Sequence, residues 1–303
     1  MGKFYLGHIS YNGENYHGWQ KQKDLPTVQE SIYNCIRSLY EFGRIDVKAT
    51  SRTDSGVHAF SQVVKMLIPR RVDVEDMREL LNGALPDDIY IHQLERINKS
   101  FKVTHLSQFK EYLYFFTLGE RTPFPFVGHI VGPQYPERAL IEQAAGLFVG
   151  KHNFEAFQYK SDTKGGHFRN VLESRIIPAH DLFPTAFNSE SPVLCFHIKG
   201  EGFLKQMVRI LMGTLVKVGC GELSVEELRQ WLVEALEISR RPGFIAPAAG
   251  LFLYHIQYPI LKVGDEMRVI EDGAAFKEKF PHFELWNKEG NTEESFPILV
   301  RPS

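Results

Sequence analysis

The stretch Thr27–Phe42, TVQESIYNCIRSLYEF, has the periodicity of an amphipathic helix. Its apolar residues recur at helical spacing, at Val28, Ile32, Cys35, Ile36 and Leu39. Thr27 can cap this helix, because Glu30 stands at the reciprocal position of a capping box. Segments of strand character, KFYLGHISYNG (3–13) and FSQVVKMLI (60–68), lie on either side. Together they predict a β-α-β unit.

The same mixture of helices and strands continues outward from this unit. A helix is predicted for DVEDMRELLNGAL (73–85) and a strand for DIYIHQLERI (88–97). Further strands are predicted at 111–119, 174–180, 192–201 and 250–258, and further helices at 136–150, 203–219 and 224–236. Strands joined by short connections favour an α+β fold with an antiparallel sheet.

Composition indicates a globular chain. Of 303 residues, 43% are hydrophobic and 24% are charged, values far from those of disordered chains. No apolar run reaches the roughly 20 residues that cross a bilayer, and the start lacks a signal-peptide pattern. Cys35, Cys195 and Cys220 are widely separated and form neither a disulfide framework nor a CxxC metal site. We therefore expect free thiols in the cytoplasm.

The octapeptide SRTDSGVH (51–58) lies between two predicted elements and has two interpretations. Asp54 before Ser55-Gly56 suits an ordinary surface turn, since glycine supplies a positive φ. Alternatively, Arg52 lies on the same side of an extended segment as Asp54 and either lowers the pKa of its carboxyl group or binds an anionic substrate. An ionised, oriented carboxylate is a possible nucleophile.

A second charged residue requires an explanation. Arg209 lies within the apolar helix predicted at 203–219, where a charged head group needs a partner. A carboxylate is the expected partner, and Asp54 opposite Arg209 would bring the two halves of the chain together at one cleft. The loop FQYKSDTKGGHFRN (157–170) is either a solvated loop or a contact for phosphate.

Seven segments, in order, resemble one known family. They are GWQKQKDLPTVQESI (18–32), SRTDSGVHAFSQVV (51–64), LNGALPDDI (81–89), FKEYLYFF (109–116), GKHNFEAF (150–157), FLKQMVRILMG (203–213) and APAAGLFL (246–253). Over residues 4 to about 258 the chain resembles the tRNA pseudouridine synthase A (TruA) family. The resemblance implies two RRM/ferredoxin-like α+β halves that share a mixed, mainly antiparallel sheet with a central cleft. The halves would span 1–105 and 106–259, and 260–303 would be a charged C-terminal extension.

The resemblance also implies roles for individual residues. RTDSGVHA matches the family's RTDAGVHA, which makes Asp54 the catalytic aspartate and Arg209 its partner. Tyr112 would lie against the target uracil, and Leu251 would line the uracil pocket. Tyr114, the second tyrosine of the Tyr-x-Tyr strand, would also bind the substrate. Without the resemblance, Tyr112 on an alternating strand would be an ordinary core residue.

Two further residues would act at the place in the RNA that the target uracil leaves. Arg52 and His58 would take up the space left by the extruded uracil and contact phosphate, although on its own His58 is better interpreted as support for the turn. The chain departs from the family's pattern at Ser51, where glycine is usual, and at Ser55, where alanine is usual.

The activity implied is isomerisation of uridine to pseudouridine in the anticodon stem-loop of tRNA, at positions 38–40. It requires no redox cofactor, nucleotide or metal, and the family acts as a homodimer. Broader contacts with the RNA backbone are expected from Lys21, Lys23, Lys160, Lys164, Arg169 and Lys205. Two alternatives stay open here: an RNA-binding module without turnover, and a carboxylate-dependent hydrolase or phosphotransferase.

Overall fold

The computed structural model describes residues 2–69, 73–99, 101–104, 107–118, 128–130, 136–159, 166–233, 242–258, 260–263 and 266–269. The strands are β1 Lys3–Tyr11, β2 Asp46–Ala49, β3 His58–Ile68, β4 Ile89–Ile97, β5 Phe109–Leu118, β6 Gly128–Ile130, β7 Gly150–Asn153, β8 Phe168–Pro178, β9 Leu194–Gly200, β10 Leu251–Gln257, β11 Ile260–Val263 and β12 Glu266–Val269. The helices are α1 Val28–Leu39, α2 Val74–Ala84, α3 Arg138–Gly146, α4 Ala179–Leu182, α5 Met207–Gly219 and α6 Val225–Val233.

A single ten-stranded sheet carries the fold. Its order is β4-β1-β3-β10-β5-β9-β8-β7, with β2 also paired to β3 and β6 to β5. Among the described strands of this sheet, β10 runs parallel to β3 and β6 runs parallel to β5, whereas the other pairs are antiparallel. The predicted α+β class with a mixed, mainly antiparallel sheet is confirmed.

The pairing of β10 with β3 and β5 determines where a site can form. Strand β10 pairs with β3 through Phe252 opposite His58 and Leu253 opposite Ala59. Along its other edge β10 pairs with β5, where Leu251 lies opposite Tyr114 and Leu253 opposite Tyr112. The octapeptide that precedes β3, the start of β10 and the tyrosines of β5 are therefore neighbours, although they are far apart in sequence.

Apolar residues are buried on both faces of the sheet. The larger cluster includes residues of the sheet and of α1, α2, α3, α5 and α6. On the opposite face a smaller cluster joins Phe115 and Phe252 to Phe183 and Phe187, next to α4. Within the described part of the chain, no helix is long and apolar enough to cross a membrane.

Side-chain caps lie at the starts of three helices. At the start of α1 the Thr27 hydroxyl accepts a hydrogen bond from the Glu30 N–H at 3.4 Å, as the capping pattern predicts. Asp73 caps α2 in the same way, through the N–H of Glu75 at 3.0 Å. At α6 the Ser224 hydroxyl accepts a hydrogen bond from the Glu227 N–H at 3.1 Å.

Two predicted helix ends are wrong. Helix α5 begins at Met207 rather than at Phe203, because Gln206 adopts a left-handed backbone conformation with φ of 59°. Helix α3 ends at Gly146, and the predicted end at Gly150 is instead the first residue of β7, with φ of 113°. In both cases the apolar pattern continues past the helix because an adjoining residue, Leu204 before α5 and Phe148 after α3, is buried as well.

Helix α5 packs closely against the segment that precedes β10, and this contact can be tested with two glycines. A Cβ atom on Gly213 would lie 2.0 Å from the Phe244 carbonyl oxygen, whereas a Cβ on Gly83 in α2 would meet nothing within 4 Å. We expect Gly213→Ala to lower the free energy of unfolding by about 1–3 kcal/mol. Gly83→Ala, the matched control, should raise it by about 0.5–1 kcal/mol. Urea unfolding monitored by circular dichroism measures both values, and equal effects would contradict this contact.

Candidate active site

The octapeptide forms a tight turn whose tip carries Asp54. The Val57 N–H donates to the Asp54 carbonyl at 3.2 Å, and Gly56 has the positive φ, 76°, that the turn interpretation requires. The Gly56 N–H donates to the Tyr16 carbonyl at 3.2 Å. These bonds involve only main-chain atoms, so the carboxylate of Asp54 takes no part in holding the turn.

Neighbouring segments fix the turn in place. The Trp19 N–H donates to the Thr53 carbonyl at 3.1 Å, and the hydroxyl groups of Tyr11 and Thr53 are 2.8 Å apart. A Cβ on Gly18 would lie 2.6 Å from the Thr53 carbonyl oxygen, so only glycine permits this approach. The position of Asp54 is thus set by β1 and by the segment between β1 and α1.

Arg209 reaches Asp54 from the other half of the chain. Its Nη1 lies 3.8 Å from Asp54 Oδ2, and its Nε donates to the Ala246 carbonyl at 2.7 Å. The two side chains are 14% and 25% exposed, respectively. The juxtaposition expected from a charged residue in an apolar helix is therefore present. The hydrogen bond to Ala246 fixes the direction in which the guanidinium points.

Burial has the largest effect on the pKa of the Asp54 carboxyl group. Removal from water raises the pKa of its carboxyl group, and the positive charges of Arg209 and Lys205 partly oppose that effect. The interpretation in which Arg52 lowers this pKa is wrong, since the net shift is upward and the opposing cations are Arg209 and Lys205. Arg52 itself is exposed.

A cavity of about 740 Å³ opens beside the carboxylate. Both halves contribute to its wall, which includes Arg52, Asp54, Tyr112, Lys205, Arg209 and Leu251. A volume of this size lies within the range of small-molecule sites, which is about 300–1,000 Å³. It is large enough for one nucleotide with its flanking backbone.

Tyr112 forms part of the apolar wall of the cavity. Its ring packs edge-on against Phe203 with centroids 5.1 Å apart, and its hydroxyl lies 3.0 Å from the Ser51 hydroxyl. Burial raises the pKa of Tyr112 to about 12, so the phenol is neutral near pH 7. The contact with Ser51 was not predicted. Its only signal in the sequence is the serine that stands where the family usually has glycine.

Tyr114 and His58 lie outside the wall of the cavity. Tyr114 is fully buried and donates to the Pro247 carbonyl at 2.8 Å. His58 is buried, stacks on Phe252 at 4.6 Å, and its Nδ1 accepts a hydrogen bond from the Gly13 N–H at 3.1 Å. The geometry does not support the predicted contacts of these two side chains with substrate. It favours the alternative in which His58 supports the turn.

The predicted RNA-binding residues are in different environments. Lys205 lines the cavity, with its ammonium 5.1 Å from the centre of the Tyr159 ring. Arg169 donates to the carbonyls of Gly166 and Phe168, at 3.0 and 2.7 Å. Lys21 is paired with Glu30 at 3.0 Å.

Three lysines complete the set of predicted RNA-binding residues. Lys23 is exposed, and Lys160 and Lys164 lie outside the described residues. The structure also brings residues into the cavity wall that were not predicted, among them Lys110, Phe203 and Gln206. The spacing Lys110-x-Tyr112 is the signal that could have identified the first, because alternate residues of a strand share one face.

Comparisons with known proteins identify the family of this chain. A family model described as tRNA pseudouridine synthase matches residues 8–104 and 144–259. The tRNA pseudouridine synthase A of Thermodesulfovibrio yellowstonii is 33% identical over 255 residues, which cover 82% of this chain and 97% of that protein. The protein of the same name from Acetivibrio thermocellus is 32% identical over 265 residues, with the same coverage. That of Methylacidiphilum infernorum is 33% identical and covers 83% and 94%. The chain therefore belongs to the tRNA pseudouridine synthase family, and it is an isomerase that acts on uridine in tRNA.

Proposed function

We propose that this isomerase converts uridine to pseudouridine at positions 38–40 of the anticodon stem-loop, with Asp54 as its catalytic residue. The observation that carries the proposal is the ion pair of Asp54 with Arg209 at 3.8 Å, in a cavity lined by both halves. A binding module would gain nothing from a partly buried carboxylate held in this way, because burying a charge is costly.

The reaction defines what the site must do. The N1–C1′ bond breaks, the uracil turns, and C5 bonds to C1′; the proton on C5 is lost and N1 gains one. The atoms therefore balance without an oxidant or a second substrate. An ionised Asp54 attacks C6 of uracil or C1′ of ribose, or removes the C2′ proton. These three routes share the requirement for a charged and oriented carboxylate.

The neighbouring residues supply that requirement. Arg209 keeps the carboxylate charged and aimed before substrate arrives, which is electrostatic preorganisation. Tyr112 and Leu251 present apolar surface to the base, and the neutral phenol of Tyr112 is available for proton transfer after the bond to C1′ has broken. Tyr114 and His58 hold these groups in position from behind the wall.

The target base must leave its stack, at a cost of a few kcal/mol. Arg52 is exposed at the cavity and can occupy the vacated space in the RNA. Lys205 and Arg169, with Lys21, Lys23, Lys160 and Lys164, would contact the backbone rather than the bases. Affinity for tRNA should therefore fall steeply as salt concentration rises.

The proposal is tested by mapping pseudouridine in tRNA from cells with and without this protein. Pseudouridine should disappear from positions 38–40 in the deletion strain and return when the gene is restored. The purified protein should form pseudouridine at those positions in an unmodified transcript. Modification confined to other positions would contradict the proposed target, and no modification of any tRNA would contradict the activity.

We also propose three regions, 1–105, 106–259 and 260–303. Strands β11 and β12 in the third region form a two-stranded sheet separate from the ten-stranded sheet, and the family match ends at residue 259. Deletion of residues 260–303 is expected to change kcat/KM less than threefold and to leave the unfolding midpoint close to that of the full chain. A truncated protein that does not fold would show that this region belongs to the core.

The resemblance further supports a cytoplasmic homodimer. Light scattering on the purified protein should give twice the chain mass of 34.8 kDa. A mass equal to that of one chain would contradict the dimer. Detection of the protein in the membrane or exported fraction of fractionated cells would contradict the cytoplasmic location.

A further inference from the structure

A lysine that has no assigned role lies in the wall of the cavity. Lys110 is on β5, opposite Gly200 of β9 and Ile256 of β10, and it is two residues from Tyr112. Alternate residues of a strand share a face, so Lys110 is on the side of Tyr112. It lines the same cavity as Asp54 and Arg209.

Among the described residues, Lys110 has no carboxylate partner. The neighbouring Glu111 points to the other face of β5, where it contacts His197 at 3.1 Å and Lys199 at 3.9 Å. Asp54 is paired with Arg209. The carboxylates closest in sequence and in the cavity are therefore engaged elsewhere.

The charged group that acts on Lys110 is another cation. Burial and the positive charge of Arg169 lower the pKa of the Lys110 ammonium to about 8. A half-buried ammonium that faces the cavity and has no carboxylate partner among the described residues is stabilised when an anion binds beside it. Such perturbed groups in a cleft are typical of binding sites.

We propose that Lys110 binds a backbone phosphate that flanks the target uridine. The proposal rests on the proposed function, in which that uridine enters this cavity. Lys110 and Tyr112 are separated by about 7 Å along the strand. This spacing suits one residue that faces the base and a second that faces its phosphate.

The experiment combines a protein variant with a chemical change in the RNA. An anticodon stem-loop carries one uncharged methylphosphonate in place of a phosphate on either side of the target uridine. We expect one of these substitutions to lower kcat/KM of the unaltered protein by about tenfold or more, as loss of a charge-assisted hydrogen bond does. Lys110→Gln should cause a similar loss, mainly in KM, and Lys110→Arg should restore most of it.

The two changes should not add. The methylphosphonate that lowers kcat/KM with the unaltered protein should have little further effect with Lys110→Gln. The salt dependence of RNA affinity should also decrease by about one phosphate contact in this variant. Lys48→Gln, an exposed lysine paired with Asp46, is the matched control and should behave like the unaltered protein.

Several outcomes would overturn the proposal. It fails if Lys110→Gln retains full kcat/KM, or if the methylphosphonate causes the same loss with and without Lys110. If Lys110→Gln does not fold, the methylphosphonate RNAs still test the proposal with the unaltered protein. The proposal also fails if neither methylphosphonate reduces the kcat/KM of that protein. If the unaltered protein makes no pseudouridine in the all-phosphate RNA, the proposed function itself is wrong.

Discussion

Asp54→Asn is expected to lower the rate of pseudouridine formation by at least about 10⁴-fold, as removal of a catalytic group that works as part of a unit does. Asparagine has the same shape and cannot ionise, so it cannot act as nucleophile or base. The turn should persist, because its bonds at 3.2 Å involve the main chain of Asp54, Gly56 and Val57. Single-turnover assays that release the nucleosides and separate uridine from pseudouridine measure the rate.

Two controls separate loss of chemistry from loss of structure. The affinity of the Asp54→Asn protein for tRNA and its unfolding midpoint should stay near those of the unaltered protein. Asp46→Asn removes an exposed carboxylate that pairs with Lys48 at 3.0 Å and should leave the rate unchanged. An Asp54→Asn protein that still turns over at a tenth of the normal rate would exclude Asp54 as the catalytic residue.

The predictable part of this site depends on local rules. Gly56 after Asp54 indicated a turn, and a guanidinium within an apolar helix indicated a buried partner. Neither rule refers to the other half of the chain. Their combination was still sufficient to expect Asp54 next to Arg209, because a partly buried cation needs a partner and a carboxylate is the expected one.

The part that could not be predicted depends on contacts between the halves. Strand β10 joins β3 through two residue pairs, and this short junction brings Ser51 next to Tyr112. Burial of Asp54 arises from the same closure, which is why the net direction of its pKa shift was not evident from Arg52 in the sequence. A charge two residues away is visible in a sequence, whereas exclusion of water is not.

The late start of α5 has a similar origin. Its apolar pattern extends back to Leu204, which is buried, yet the helix begins only after the left-handed Gln206. The N–H of Leu204 lies 3.5 Å from the sulfur of Met207, and the Tyr159 N–H donates to the Lys205 carbonyl at 3.0 Å. These contacts hold residues 204–206 out of the helix, and no periodicity in the sequence reports them.

Arg209→Met is expected to lower kcat/KM by about 10²–10³-fold, the loss typical of one preorganised electrostatic contact. Methionine fills most of the space of the arginine stem without its charge. Asp54 then keeps its burial and loses the first of the two cations that oppose it, so the pKa of its carboxyl group should rise further above its usual value.

The pH profile identifies the cause of that loss. The reaction needs the ionised carboxylate, so kcat/KM rises with pH as Asp54 loses its proton. A higher pKa moves this rising limb to higher pH in Arg209→Met, and the deficit should be largest at acidic pH. Arg209→Lys keeps a charge but loses the Nε hydrogen bond to Ala246, which is 2.7 Å long. Its limb should stay near that of the unaltered protein, with an intermediate rate.

Combining this variant with Asp54→Asn tests whether the two residues act as one unit. If Arg209 works through the carboxylate, the double variant should be no slower than Asp54→Asn alone, since groups that share one function do not add. A further 100-fold loss in the double variant would mean that Arg209 acts on the RNA directly. A rising limb that does not move in Arg209→Met would lead to the same conclusion, because the guanidinium would then have no part in keeping Asp54 charged.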